Sequence, residues 1–564
     1  MLTLDNRNST RTLLDAAVLS ARDGERDTIV YVASDEEPIH VTRADFQHEV
    51  MRYAAALAAL GVGQRDLVII AHTQNLESIY AFWGALAAGA VPSMFPTLTE
   101  KLDPQIYMQN MSELVALSEV RLVLTTDDLA PALDSHVGCP VFGSSHLAEV
   151  VNKNGAGETA VLHYAQPDPA EIAFLQHSSG TTGLQKGVAL SHHAVLNQLA
   201  SYSDAIALSE DDIVVSWLPL YHDMGLIAGF LLPLVQGVPL VLMSPFDWVR
   251  HPALLLSAID RFGGTLTWLP NFAYNHMARR VRERDIDGLS LAGMRMFINC
   301  SEPVRKDSHD LFQERFAALG LRPEQLAVSY AMAENTFGVT QTPPGVVPTL
   351  DIVDRQALEE QRSAVPVPPD HERAAVRVSC GPPIANTAVR VLDENGTPLP
   401  ERRVGELAVQ SDCMLSQYYR RPDLEPFQDG WYLTGDMGYV AGGEVYIIGR
   451  SKDLIINAGK NVYPQDIEAI VNEVPGVHAG RAVAFGVYDK REGTELVAVV
   501  AEIDSQDIQE RKEIGKRIRQ EVARQSMVTV SFVKLVGDKW LIKTSSGKIA
   551  RAANHDKWQR ERGQ

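Results

Sequence analysis

Cysteine is scarce in this chain: its 564 residues hold four, Cys139, Cys300, Cys380 and Cys413, and no two stand at the spacing of a zinc site or a small disulfide framework. A reduced, cytoplasmic setting is the expectation. Residues 1–12 lack the apolar core of a secretory signal, so the mature chain is expected to begin at Met1. Positive charge is in deficit, with 51 Lys and Arg against 71 Asp and Glu and a net charge of -20. That balance argues against a nucleic-acid surface and against a carrier for acidic membranes. Long hydrophobic runs are missing too. The most apolar stretch, 226–243, is broken by Pro233, Gln236, Gly237 and Pro239, and a spanning helix needs roughly 20 mostly unbroken apolar residues. It reads as buried core, and no integral membrane segment is expected.

What is present belongs to a folded protein of more than one core. The composition, 45% hydrophobic and 22% charged, suits a globular chain, and its length calls for two or more domains. From residue 12 to about 340, β-rich runs at 67–71, 121–125, 213–218 and 238–243 alternate with helical patterns such as 53–60 and 78–88, which end at Gly61 and Gly89. That alternation predicts crossover units and mostly parallel sheets flanked by helices, an α/β fold. Six prolines between 342 and 369 flank a short charged helix near 356–361, and the segment 342–375 reads as an insertion or linker. Closely spaced strands at 376–379, 388–392, 405–410 and 444–448 predict a small antiparallel sheet or barrel in a β-rich subdomain, 376–449. From 450 to 564 a compact α+β unit follows, with strands at 481–487, 496–502 and 530–535 and helices at 465–474 and 508–524. The expected architecture is an N-terminal domain, 1–449, carrying a small mobile lid.

The strongest chemical signal is Leu175-Gln-His-Ser-Ser-Gly-Thr-Thr-Gly-Leu-Gln-Lys-Gly-Val188, a glycine- and hydroxyl-rich loop following an apolar run. Gly180 and Gly183 let backbone N–H groups approach phosphate oxygens. Ser178, Ser179, Thr181 and Thr182 add donors, and Lys186 adds charge. The pattern is no Walker loop, because Lys186 follows Gln185 and precedes Gly187.

Read together with motifs downstream, this loop resembles the phosphate-binding motif of the adenylate-forming superfamily: acyl-CoA synthetases, fatty acyl-AMP ligases, nonribosomal adenylation domains and luciferases. The resemblance runs in order over nearly the whole chain. Tyr330-Ala-Met-Ala-Glu-Asn335 is similar to the adenine and metal motif, which implies Tyr330 as a stacking ring beside Ala331 and Glu334 as a Mg²⁺ ligand; a carboxylate suits that hard cation. Tyr432-Leu-Thr-Gly-Asp-Met-Gly438 resembles the ribose motif, with Asp436 accepting from the ribose hydroxyls. The segment 449–461 resembles the hinge motif, implying Arg450 as a ribose or phosphate partner and Lys452 as the pivot. Lys543-Thr-Ser-Ser-Gly-Lys-Ile-Ala-Arg551 resembles the C-terminal lysine motif, in which Lys548 would reach the carboxylate and the α-phosphate.

Two motifs are most like those of fatty acyl-AMP ligases. Trp217-Leu-Pro-Leu-Tyr-His-Asp-Met-Gly-Leu226 implies His222 beside the substrate carboxylate. Asn299-Cys-Ser-Glu-Pro-Val-Arg305 resembles the adenine wall, with Cys300 and Ser301 in place of the usual Gly and Ala ahead of Glu302. Segment 342–375 falls where those ligases carry an insertion that disfavours coenzyme A. The resemblance therefore implies ATP- and Mg²⁺-dependent conversion of a carboxylic acid, expected to be a fatty acid, to an acyl adenylate, and then transfer to the thiol of an acyl carrier protein. Coenzyme A is the alternative acceptor, and a non-catalytic nucleotide-binding protein is the more distant one. Trp217, Asn271, Phe272 and Met332 are candidates for the acyl pocket.

Overall fold

The computed structural model describes residues 1, 12–17, 24–34, 36–99, 104–154, 167–178, 186–457, 460–491, 494–526, 528–544 and 548–562. Its centre is an eight-stranded sheet. From one edge the strands run Gly338–Gln341, Leu326–Ala331, Met296–Asn299, Leu266–Leu269, Val214–Ser216, Leu240–Met243, Asp27–Val32 and Ile39–Thr42. The inner pairs are all parallel, and only the two edge strands run antiparallel to their neighbours. A second, four-stranded sheet built on Leu67–Ala71 and Leu122–Thr125 is parallel throughout. Strands covered on both faces need apolar side chains at every position, and Leu67–Ala71, Leu122–Thr125 and Leu240–Met243 are buried along their whole lengths. That is why uninterrupted apolar runs in the sequence mark these strands.

The helix read at 53–60 is the end of a longer one, Arg43–Ala59, which the Thr42 side chain caps through the Asp45 N–H. Gly61 and Gly89 take positive φ just past their helices, as the sequence suggests. The stretch 226–243 is core. It enters as a π-helix, Met224–Leu231, and every residue of that helix is buried. Among the described residues, no helix is long and apolar enough to cross a membrane.

The π-helix is unusually long for its type, and two glycines let it lie flat on the preceding strand. A Cβ on Gly225 would stand 2.2 Å from the Pro219 carbonyl oxygen, and one on Gly229 2.6 Å from Ser216 Oγ. Gly225→Ala is therefore expected to destabilise the chain by about 2–3 kcal/mol through overpacking. A denaturant midpoint unchanged from wild type would show that the helix relaxes freely.

The later strands pair antiparallel, in a five-stranded sheet that includes Thr387–Leu392, Gly405–Ser411, Trp431–Ala441 and Glu444–Arg450. The segment read as a linker is packed. Leu350–Asp354 pairs with Ala374–Val378, and Val353, Leu358 and Ala364 join a core with Tyr439 and Tyr446. The prolines suggest an insertion or linker; Val353, Ala357, Leu358, Ala364 and Ala375 are nevertheless buried, while Val346, Val347, Leu350 and Val365 stay exposed. In the C-terminal unit, Ala482–Asp489, Thr494–Glu502 and Val530–Val536 form one sheet between Ile508–Ser526 and Arg551–Arg562.

Candidate active site

Four adjacent parallel strands deliver predicted residues to one rim. Val214–Ser216 leads into Trp217 and His222, Leu266–Leu269 into Asn271, Met296–Asn299 into Cys300, Ser301 and Glu302, and Leu326–Ala331 into Glu334. Parallel strands end on the same side of a sheet, and ligands of open α/β sheets bind in the crevice outside those carboxyl ends.

Across this rim stands the five-stranded sheet, carrying Asp436. Its register sets Asp436 opposite Arg450, and the two form an ion pair with Nε to Oδ1 at 2.9 Å. The Tyr330 hydroxyl donates to the other carboxylate oxygen, Oδ2, at 2.6 Å. Burial and then the Asp436 charge raise the Tyr330 pKa well above its ordinary value, so this hydroxyl keeps its proton and remains a donor. Gly435 has a φ of +71°, a turn that presents the Asp436 N–H to Thr434 Oγ1 at 3.0 Å.

A second cluster surrounds Glu334. The Tyr418 hydroxyl donates to its Oε1 at 3.0 Å and lies 3.1 Å from the Tyr432 hydroxyl. The Lys186 ammonium sits 4.8 Å from the centre of the Tyr418 ring. Ser178 and Lys186 are paired residues of an antiparallel hairpin, so the phosphate loop leaves and returns at this point. Ser179, Gly180, Thr181, Thr182 and Gly183 lie outside the described residues, as does the side chain of Ser178.

The third group is cationic and comes from the lid. Lys548 is exposed, and its charge acts on His222, Asp223 and Cys300. Burial lowers the His222 pKa to about 3, and Lys548 pushes it in the same direction. The imidazole is therefore neutral at physiological pH; its Nε2 is sealed from solvent and has no partner among the described residues. Burial raises the neighbouring Asp223, with Lys548 opposing. The Cys300 thiol is held up to about 12 by burial and then by Asp223, so it is no nucleophile. Lys452 is exposed in a turn beside Arg450, within electrostatic reach of Lys186 and Asp436. Next to it Asp453 pairs with Arg551, which also binds Glu468 and donates to the Ala484 carbonyl at 2.9 Å. Arg551, three positions after Lys548 and the first residue of the last helix, thus ties that end of the chain to Asp453 and to the strand Ala482–Asp489.

The adenine-wall segment is strained. Ser301 adopts a φ of +70°, a region that favours glycine. Glu302 accepts from the Phe272 N–H at 2.9 Å and so caps the helix Asn271–Arg280. Asn271 is itself committed, accepting from Asn299 at 3.1 Å and from the Arg305 N–H at 3.2 Å. Trp217 stacks on Trp248 at 3.6 Å, and both rings meet Phe272 edge-on. Met332 is buried.

The structure therefore brings Lys186, Glu334, Tyr330, Asp436, Arg450, His222, Cys300, Ser301 and Lys548 around one crevice. Reading the sequence alone missed Asp223, Tyr418 and any separate part for Tyr432. Asp223 adjoins His222 in a quoted motif and was within reach; nothing local singles out Tyr418. Glu334 suits Mg²⁺, being a hard oxygen donor of intermediate burial without an ion-pair partner among the described residues. The one grouping with metal-ligand spacing among those residues, His478, Glu502 and Asp538, lies in the lid, where Arg481 and the Leu541 N–H already occupy Glu502.

This geometry agrees with comparison to known proteins. The family described as AMP-binding enzyme matches residues 19–419. A Caulobacter vibrioides protein provisionally named an acyl-CoA synthetase is 30% identical over 547 residues, 96% of this chain and 94% of its own. The medium-chain-fatty-acid–[acyl-carrier-protein] ligase JamA of Moorena producens is 31% identical over 520 residues, 87% and 85% of the two chains. Among solved structures, one from work on the fatty acyl-adenylate ligases of E. coli and L. pneumophila superposes with a TM-score of 0.88 at 26% identity, covering 98% of both chains. The chain belongs to the AMP-binding family of adenylate-forming ligases.

Proposed function

We propose that this enzyme activates a fatty acid with ATP and passes the acyl group to the phosphopantetheine thiol of an acyl carrier protein. The observation that carries this reading is the arrival of Lys548, from the lid, at the rim that also holds His222, Glu334 and Asp436. Asp436 takes the ribose hydroxyls with Arg450 beside it, and Tyr330 lies against the adenine. Lys186 and the phosphate loop bind the outer phosphates. Mg²⁺, when held by Glu334, offsets phosphate charge. A carboxylate oxygen attacks the α-phosphorus, the bond to the bridging oxygen breaks, and pyrophosphate leaves. Lys548 neutralises charge at the entering oxygen and the α-phosphate. Neutral His222 offers a hydrogen bond beside the carboxylate without adding a second positive charge.

For the second half-reaction the lid turns at Lys452 and withdraws Lys548. The thiol sulfur then attacks the acyl carbon, its proton is lost, and AMP leaves. Segment 342–375 supports a carrier-protein acceptor because its helix meets the lid: Asn461 donates to the Glu359 carbonyl at 2.7 Å, and Lys460 pairs with Glu360 at 3.0 Å. Beside it Arg377 binds Asp466 at 2.9 Å. A lid tethered there leaves less room for a free coenzyme. The name of JamA favours the carrier protein and that of the C. vibrioides relative favours coenzyme A, so a direct competition decides. Purified enzyme offered a fatty acid, ATP and both acceptors is expected to load holo carrier protein at least about tenfold faster, a difference of 1.4 kcal/mol. Equal or faster acyl-CoA formation would overturn the acceptor assignment while leaving adenylation intact.

A further inference from the structure

The geometry points to Tyr418 as a positioning residue that holds the metal carboxylate and the phosphate-loop lysine apart and ready. This inference rests on the adenylation reading, in which Glu334 is the Mg²⁺ ligand and Lys186 meets the outer phosphates. Tyr418 belongs to neither element. It lies on a two-residue strand, Gln417–Tyr418, that pairs with Lys186–Ser191 so that Tyr418 faces Val188. Side chains two apart on a strand share a face, which puts Lys186 diagonally beside the Tyr418 ring. The observed 4.8 Å is a cation–π distance.

The same side chain reaches the other way with its hydroxyl, donating to Glu334 Oε1 at 3.0 Å. The backbone fixes this bridge at both ends. The Leu415 N–H donates to the Glu334 carbonyl at 2.8 Å, and the Tyr419 N–H donates to the Gly187 carbonyl at 2.7 Å.

Lys186 and Glu334 thus meet one side chain, the ammonium at its ring and the carboxylate at its hydroxyl. Tyr418 separates them: its ring face satisfies the cation, and its hydroxyl satisfies one carboxylate oxygen. Tyr432, hydrogen-bonded to Tyr418, is the other hydroxyl beside this carboxylate. Hydrogen bonds to a ligating carboxylate fix its orientation, and removing such a partner typically costs tenfold or more in metal affinity.

The test is calorimetric titration of ATP into the full chain, with Mg²⁺ and again with EDTA. In Tyr418→Phe, which keeps the ring, the gain in ATP affinity due to Mg²⁺ is expected to shrink about tenfold, with metal-free affinity unchanged. Tyr418→Leu loses the ring as well, and its metal-free affinity should fall about two- to fivefold. An unchanged Mg²⁺ gain in Tyr418→Phe overturns the inference, as do equal losses with and without metal. Failure of Tyr418→Phe to fold also overturns it, by placing the hydroxyl in the stability of the core. Wild type and Glu334→Gln separate this from the underlying reading: if wild type shows no Mg²⁺ gain, or Glu334→Gln retains it, adenylation at this site is what fails.

Discussion

Lys548→Ala is expected to slow adenylate formation by about a hundredfold to a thousandfold, the usual loss when one preorganised charge or donor is removed from a developing anion. The same variant should transfer the acyl group from a preformed adenylate at close to the wild-type rate. The asymmetry follows from where the lysine sits. It belongs to the lid, yet its charge is felt by His222 and Asp223 at the end of a strand in the central sheet. In the proposed reaction it serves the step in which carboxylate and phosphate, both anionic, must approach. Once the anhydride exists that repulsion is gone, and in the proposed cycle a turned lid carries Lys548 away. Pyrophosphate release and single-turnover thioester formation are to be measured separately, because a steady-state rate would merge them. Equal losses in both would show that Lys548 supports the fold of the lid, and the two-position lid would have to be abandoned.

Much of this arrangement is legible in the sequence wherever function is written locally. The apolar runs of the parallel strands, the glycines past helix ends and the hinge and lysine segments are each contiguous in the chain. The segment 342–375 was harder, because its burial depends on Tyr439 and Tyr446, far along the chain. Tyr418 was beyond reach for a similar reason. Its contacts, Lys186 and Glu334, lie 232 and 84 positions away, and only the pairing of two short strands brings them together. Helical period and strand alternation state which face of an element is buried, and they are silent on which element it meets. The Ser301 departure is similar: the sequence shows a serine, and only the backbone shows that it occupies a glycine-favouring turn.

Asp436→Ala carries the second large effect, and the reason lies in competing magnitudes. Asp436 makes a cross-strand ion pair with half-exposed Arg450 and accepts from buried Tyr330. A partly exposed pair of this kind is worth about 0.2–1 kcal/mol, so loss of stability should be modest. Toward ATP the carboxylate has more to do. In the proposed site, two ribose hydroxyls donating to one ionised acceptor are worth about 1.5–3 kcal/mol each, while in the alanine variant the Tyr330 hydroxyl keeps Thr434 as a neighbouring partner. The expected result is a fall of about a hundredfold or more in kcat/KM for ATP, with KM for the acid nearly constant and only a small drop in melting temperature. Asp436→Asn, which keeps one acceptor and loses the charge, should fall between the variant and wild type. Unchanged ATP kinetics in the alanine variant would remove Asp436 from the nucleotide site and leave its pairing with Arg450 as a brace between two strands.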